Sequence, residues 1–337
     1  MTAVTRRVAL RATIPAAVTA LILTTACAPD DSNGEEPGDA GELSHMLLAT
    51  GSTGGTYYPL GGGMASIWSE GIDGLTVSVQ ASGASVENLR LLQAGEVELI
   101  MAVNGVAINA MNGEGDFAGE DHDFMAIGNV YAEVTQIVAR ADAEIETIAD
   151  LAGKRVQIGP AGSGTEVSAR QILDYHGIDA DSDIDSFQDS FGDAADQLRD
   201  GTVDAAFGIL ALPAASIIDV ATGTDLVMVD LEGEPLEQML ADDASLSAVE
   251  VPEGTYPGQD DAATWVTNWA TLYVAPGLDE DQVYELVSLM YEGMDPDTVG
   301  HAVADEIQLD TAIDGLGGVP LHPGAERYYE EQGVDLP

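Results

Sequence analysis

Short apolar runs and amphipathic stretches alternate along most of this chain. Residues 45–50 form a compact apolar run that ends at a glycine-rich turn, and residues 75–80 alternate apolar and polar positions as a half-buried strand does. Between them, residues 57–70 place Leu60, Met64 and Ile67 on one face of a helix. Residues 85–94 predict a second helix, with Ser85 as its N-cap and Gly95 as its stop. Residues 97–103, 124–130 and 134–140 read as strands, and 155–159 as another that leads through a loop into a helix at 165–176, closed by Gly177. Further strands are expected at 203–209, 225–229 and 264–274, and amphipathic helices at 280–292 and 296–307. Strand and helix in alternation predict an α/β fold. The stretch beyond residue 44 is longer than one core commonly serves, so two lobes are expected.

The first residues carry a different pattern. Arg6, Arg7 and Arg11 precede an apolar run that ends at Leu23, too short for a permanent span, so residues 1–26 read as an export signal. Cys27, the single cysteine of the chain, follows small residues at the end of that run, as a lipidation site does. Thr24 stands where such sites usually carry a leucine, and residues 5–11 partly match a twin-arginine signal. Residues 27–44 are acidic and rich in Gly and Pro, and read as a flexible tether. The expected location is the outer face of the cytoplasmic membrane, held by the lipid anchor.

Charge narrows the picture. The chain has 10 Lys+Arg and 59 Asp+Glu, and all the acids lie beyond residue 26; without Arg6, Arg7 and Arg11 the balance is 7 − 59 = −52. Disorder is disfavoured by a 45% hydrophobic content, enough to build a core. No basic stripe exists, which excludes nucleic acid as a partner. Such self-repulsion is tolerable where salt shortens the Debye length, so adaptation to high external salt is expected.

Two loops carry the candidate chemistry. Residues 50–59 (TGSTGGTYYP) join a strand to a helix, and residues 159–165 (GPAGSGT) repeat that construction. Their glycines let successive backbone N–H groups converge on an anion, and the helix N-terminus adds partial positive charge. The second loop has the glycine spacing of a phosphate loop but no lysine after Gly164, which argues against nucleotide hydrolysis. His45, His122, His176, His301 and His322 lack metal-ligand spacing, and no serine sits in a G-x-S-x-G elbow. The chain reads as neither an enzyme nor a holder of a metal or cofactor.

In order and with their flanks, these stretches resemble the TAXI-type solute receptors of TRAP transporters. The matching segments are TGGTYYP (53–59), SVENLRLL (85–92), DLAGKRV (150–156), GPAGSGTE (159–166) and GTYPGQD (254–260). The resemblance implies a type II periplasmic-binding-protein fold of two α/β lobes with a hinge and an interlobe ligand cleft. Lobe 1 would be 45–135 with 250–337, and lobe 2 would be 136–249. It implies a TRAP-type permease as partner, a monomeric receptor, and glutamate, glutamine or a related dicarboxylate as solute. Ligand contacts are carried over to Gly54, Gly55, Thr56, Tyr57, Ser82, Asn88, Asn104, Gly162, Ser163, Gly164 and Thr165. Two departures stand out: Val103-Asn104-Gly105 replaces a Gln-x-Asp, and the segment 207–213 lacks an expected double glycine.

Residue chemistry adds that Tyr57 or Tyr131 would pack on the carbon chain of the solute. A second carboxylate on it would require one of Arg90, Arg140, Lys154, Arg155, Arg170, Arg199 or Arg327, with Arg90 and Arg170 nearest the loops in sequence. An ammonium would require Glu87, Glu133 or Glu166. Three other readings are open: a receptor for an ATP-driven transporter of a sulfonate or aromatic metabolite, a secreted enzyme, and a sensor domain.

Overall fold

A computed structural model of the chain describes residues 42–336. The export segment, Cys27 and most of the tether lie outside the described residues. The elements run β1 (His45–Ala49), α1 (Tyr57–Gly71), β2 (Thr76–Gln80), α2 (Ser85–Gln93), β3 (Leu99–Val103), α3 (Asn104–Asn112) and β4 (Met125–Arg140). There follow β5 (Arg155–Gln157), α4 (Gly164–Tyr175), β6 (Asp185–Phe187), α5 (Phe191–Asp200), β7 (Ala205–Leu210), α6 (Ala215–Ala221), β8 (Leu226–Met228), α7 (Gly233–Asp242) and β9 (Ser247–Val251). The chain closes with β10 (Ala263–Val274), α8 (Glu280–Gly293), α9 (Pro296–Val299) and α10 (Pro323–Gln332).

The strands are ordered β2-β1-β3-β10-β4-β7-β5-β6. At one end β1 pairs in parallel with β2 and β3, and at the other β5 pairs in parallel with β6 and β7. The long strands β4 and β10 run antiparallel to each other through the middle. This is a type II periplasmic-binding-protein architecture: two parallel-sheet lobes, each a strand–helix alternation, joined by two shared strands.

The apolar residues divide at those shared strands. Ala126, Ile127, Val130 and Tyr131 of β4 belong to the first core, with Trp68, Leu286 and Tyr329, whereas Val134, Ile137 and Val138 belong to the second, with Ile172, Leu198 and Trp265. On β10 the change falls between Val266 and Ala270. The hinge is therefore Ala132–Glu133 on one strand and 267–269 on the other. Val251, Tyr256 and Ala263 pack with the second core, so that lobe runs to the middle of β10 and not to 249 as the sequence suggests.

Two element boundaries differ from expectation for physical reasons. The strands expected at 124–130 and 134–140 are one sixteen-residue strand, because β10 supplies hydrogen-bond partners straight across the interruption. The helix expected at 296–307 stops after one turn at Gly300, whose φ of +75° ends α9, and resumes as a 3₁₀ turn at Ala302–Glu306.

Candidate functional site

Each lobe turns the N-terminal ends of its helices toward the gap between them. From the first lobe come the turn before α1 (Gly55, Thr56, Tyr57) and the turn before α2 (Gly83, Ala84, Ser85). From the second come the turn before α4 (Ser163, Gly164, Thr165) and the first residue of α5, Phe191. Together with Glu133 of the hinge strand they line a cavity of about 60 Å³. Its apolar wall is Val103, Pro160, Phe191, Ile209 and Leu210.

The chemistry of these turns follows from their caps. Neither Thr56 nor Ala84 makes a side-chain cap to its helix, which leaves the Tyr57 amide of α1 and the Ser85 amide of α2 as free donors. Ala84 is held at φ +71°, a sparsely populated conformation for a residue with a Cβ, and this aims the start of α2 into the gap. On α4, the Ser163 hydroxyl accepts from the Glu166 amide at 3.1 Å, which leaves the amides of Gly164 and Thr165. Among the described residues, the amides of Tyr57, Ser85, Gly164 and Thr165 have no protein acceptor. Such convergent amides bind an acid group.

The lobes touch. The Val86 and Glu87 amides of α2 donate to the Gly162 carbonyl of the opposite lobe at 3.1 and 3.4 Å. The Ala211 amide donates to the Thr56 hydroxyl at 3.2 Å. A Cβ on Gly54 would stand 2.9 Å from Gly192 Cα, and one on Gly164 would stand 2.7 Å from Val103 Cγ2. Glycine at these two positions is what lets the walls meet, and the form described is a closed one.

Glu133 is the carboxylate of the cavity. It is 1% exposed, and accepts from the Tyr57 hydroxyl at 2.8 Å and from the Tyr131 hydroxyl at 3.2 Å. Burial pushes its carboxyl up to about 8, against the two tyrosine hydrogen bonds that favour the anion. Burial likewise holds Tyr57 and Tyr131 well above the usual phenol range, with the neighbouring Glu133 charge as the second cause.

Of the residues singled out in the sequence, Gly55, Thr56, Tyr57, Ser163, Gly164 and Thr165 come together on the cavity. Gly54 sits at the lobe contact and Gly162 supplies the carbonyl of the interlobe bonds. Tyr131 lies behind Glu133, with its ring edge-on to Tyr57 at 6.4 Å. Ser82, Asn88 and Asn104 are spent on the scaffold. The Asn88 amide donates to Thr50 O at 2.6 Å, Met101 O at 2.8 Å and Ala49 O at 3.3 Å, clamping the ends of β1 and β3. Ser82 bonds to Asn88 and to Thr50 O. Asn104 donates to Gly315 O at 2.8 Å and accepts from the Trp269 amide at 3.1 Å, tying α3 to the hinge strand and the C-terminal segment.

No cation reaches the cavity among the described residues. Arg90 pairs with Glu120, Arg140 with Asp142, Arg155 with Asp204, Arg170 with Glu166 and Asp181, Arg199 with Asp196 and Asp219, and Arg327 with Glu280 and Asp281. Lys154 donates to Ala143 O at 2.7 Å. Arg90 and Arg170, the cations nearest the loops in sequence, do not line the cavity. Glu133 has a signal in the sequence, a lone acid inside the apolar stretch 124–140; Phe191 has none beyond following the cap Ser190.

Residues 48–333 match the family described as NMT1-like. The fold is also similar to the alkanesulfonate-binding protein of Xanthomonas axonopodis pv. citri bound to MOPS, at 16% identity over 86% of this chain and 85% of that one, TM-score 0.45. The aliphatic sulphonate binding protein of Escherichia coli is 14% identical over 87% and 94%, TM-score 0.44. A substrate-binding protein of an ABC uptake transporter from Streptococcus pneumoniae, with bound histidine, is 16% identical over 79% and 94%, TM-score 0.48.

Proposed function

The chain belongs to the NMT1-like family, and from that premise we propose that it is an exported solute receptor, which captures a small acid between its lobes and delivers it to a membrane transporter. The observation that carries this reading is the convergence of helix N-termini from both lobes on one cavity. Amides from opposite lobes that meet on one acid group make closure depend on the solute, since neither lobe alone completes its hydrogen bonds. A single buried carboxylate among hydroxyls and amides supports binding over catalysis, with no base–nucleophile pair beside it among the described residues.

The transporter is of one of two kinds. One is an ATP-driven importer, the class with which the substrate-binding protein from Streptococcus pneumoniae works. The other is an ion-driven TRAP permease, implied by the TAXI-type resemblance. Uptake into proteoliposomes bearing the cognate permease separates them, by whether internal ATP or an ion gradient drives it. Lipid attachment at Cys27 is part of the proposal and would show as a diacylglyceryl mass on the N-terminal peptide.

The receptor reading is tested by thermal unfolding in molar salt against carboxylates, sulfonates and amino acids. A true solute raises Tm by mass action, by about 2.7 kcal/mol of added stability at a hundred times Kd. Ser163→Ala combined with Thr165→Ala should weaken that solute well beyond the modest drop in the solute-free melt, about 1 kcal/mol, that losing the α4 cap brings; a panel in which no acid moves Tm refutes the reading.

A further inference from the structure

Resting on the receptor reading, we propose that the solute is a zwitterion with one acid group and one ammonium, the ammonium held by Glu133. Three observations carry it. First, the acid-binding capacity of the cavity is backbone amide, and one cluster of it; no arginine or lysine stands by to receive a second carboxylate, all seven described cations being engaged elsewhere. A dicarboxylate would bury one of its charges unpaired, which is costly. Second, Glu133 is 1% exposed, lines the cavity, and has no ion-pair partner among the described residues. Its two oxygens offer about four acceptor positions, and Tyr57 and Tyr131 fill two of them. A buried carboxylate with unused acceptor positions facing a cavity is complementary to N–H donors. Third, the two other acids weighed for this role are committed. Glu166 accepts from the Gly162 amide, Arg170 and Gln188, and Glu87 is exposed and accepts from the Gly83 amide.

The remaining wall is apolar, formed by Phe191, Ile209 and Leu210, and suits a non-polar part of the solute. The titratable groups around Glu133 are Tyr57 of α1, Tyr131 of its own strand, Tyr273 of β10, and Glu306, which accepts from the adjacent Ala132 amide at 3.2 Å. None of them is a cation. An arriving ammonium therefore converts a carboxyl that burial holds protonated into a carboxylate, and the proton leaves to solvent.

The test compares matched acids by calorimetric titration of the full mature chain in molar KCl. The pairs are L-alanine with propionate and taurine with ethanesulfonate, and succinate and L-glutamate are the dicarboxylates. The expected result is binding of a zwitterion at least about thirtyfold tighter than its deaminated partner. It comes with release of nearly one proton at pH 7, read from the dependence of the heat on buffer ionisation enthalpy. Glu133→Gln should weaken the zwitterion about a hundredfold, abolish the proton release, and change the deaminated acid less than threefold. Its solute-free Tm reports whether it folds, and Glu133→Asp, one methylene shorter, should retain the proton release. Propionate or ethanesulfonate binding as well as its amino partner, or succinate binding more tightly than either, overturns the zwitterion and leaves the receptor intact. Binding by no acid of any class overturns the receptor reading and this inference with it.

Discussion

Two residues with opposite jobs show how polar groups are used inside this protein. Glu133 is buried where its charge is disfavoured, and its carboxyl sits near 8 against 4.5 in the unfolded chain. Below about pH 4.5 it is protonated in both states; as pH rises toward 8 the unfolded chain loses that proton first, so stability declines over this window and levels above it. Denaturant unfolding of the solute-free protein at pH 5 to 8 should show the decline, and Glu133→Gln should flatten it; parallel profiles would place the proton elsewhere. Asn88 does the reverse, satisfying three strand-end carbonyls at no exposure. Asn88→Ala removes the donor these three carbonyls share, leaving only the Ser82 hydroxyl on Thr50 O, and should cost about 3 kcal/mol, seen as a lower urea midpoint with an unchanged slope.

At the scale of elements, the strand-to-helix turns are legible in the sequence and the hinge is not. The glycine-rich loops before α1 and α4 announce themselves by turn chemistry, and six of the residues named there stand on the cavity. Local periodicity carries no information about what crosses from the other lobe. Glu133, one of three acids an ammonium would require, therefore falls in a gap between two expected strands, although β10 pairs through it. For the same reason Asn104 looks like a ligand contact, when a loop more than 200 residues away at Gly315 consumes its amide. The Asn104–Asn112 helix and the four helices α5, α6, α7 and α10 are absent from the sequence reading; each has ten residues or fewer, and α5 and α7 are missed although their apolar positions share one face. Gly54 has the most specific element-level role, because any Cβ there meets the backbone at Gly192 on the opposing turn. Gly54→Val should hold the lobes apart, weakening the solute tenfold or more while moving the solute-free Tm by less than about 1 kcal/mol equivalent. Small-angle scattering checks it: the variant should keep an expanded radius when solute is added, and a normal contraction would remove the glycine from the closure mechanism.

For the whole molecule the decisive quantity is charge. With 59 acids against seven bases after the export segment, every described cation is already engaged, and the surplus repels itself. Surface pairs of this kind contribute little, so screening has to come from solution. Raising KCl from 0.1 to 1 M shortens the Debye length from about 10 to about 3 Å, and Tm should climb steeply over that range and flatten above it. A linear rise continuing to several molar would point to salt-strengthened apolar burial instead. The same field bears on capture. An anion approaches a like-charged molecule and is repelled until the last few ångströms, whereas a zwitterion carries no net charge and meets a far weaker barrier. Association rates measured by stopped flow should therefore rise with salt for a simple anion and stay nearly flat for a zwitterion, even though both end on the same amides. Glu133 then gives the receptor more than a second contact: it selects solutes that this surface does not turn away. Equal salt slopes for the two classes would show that the surface field is already screened at the cleft mouth, and that selection rests on the buried carboxylate alone.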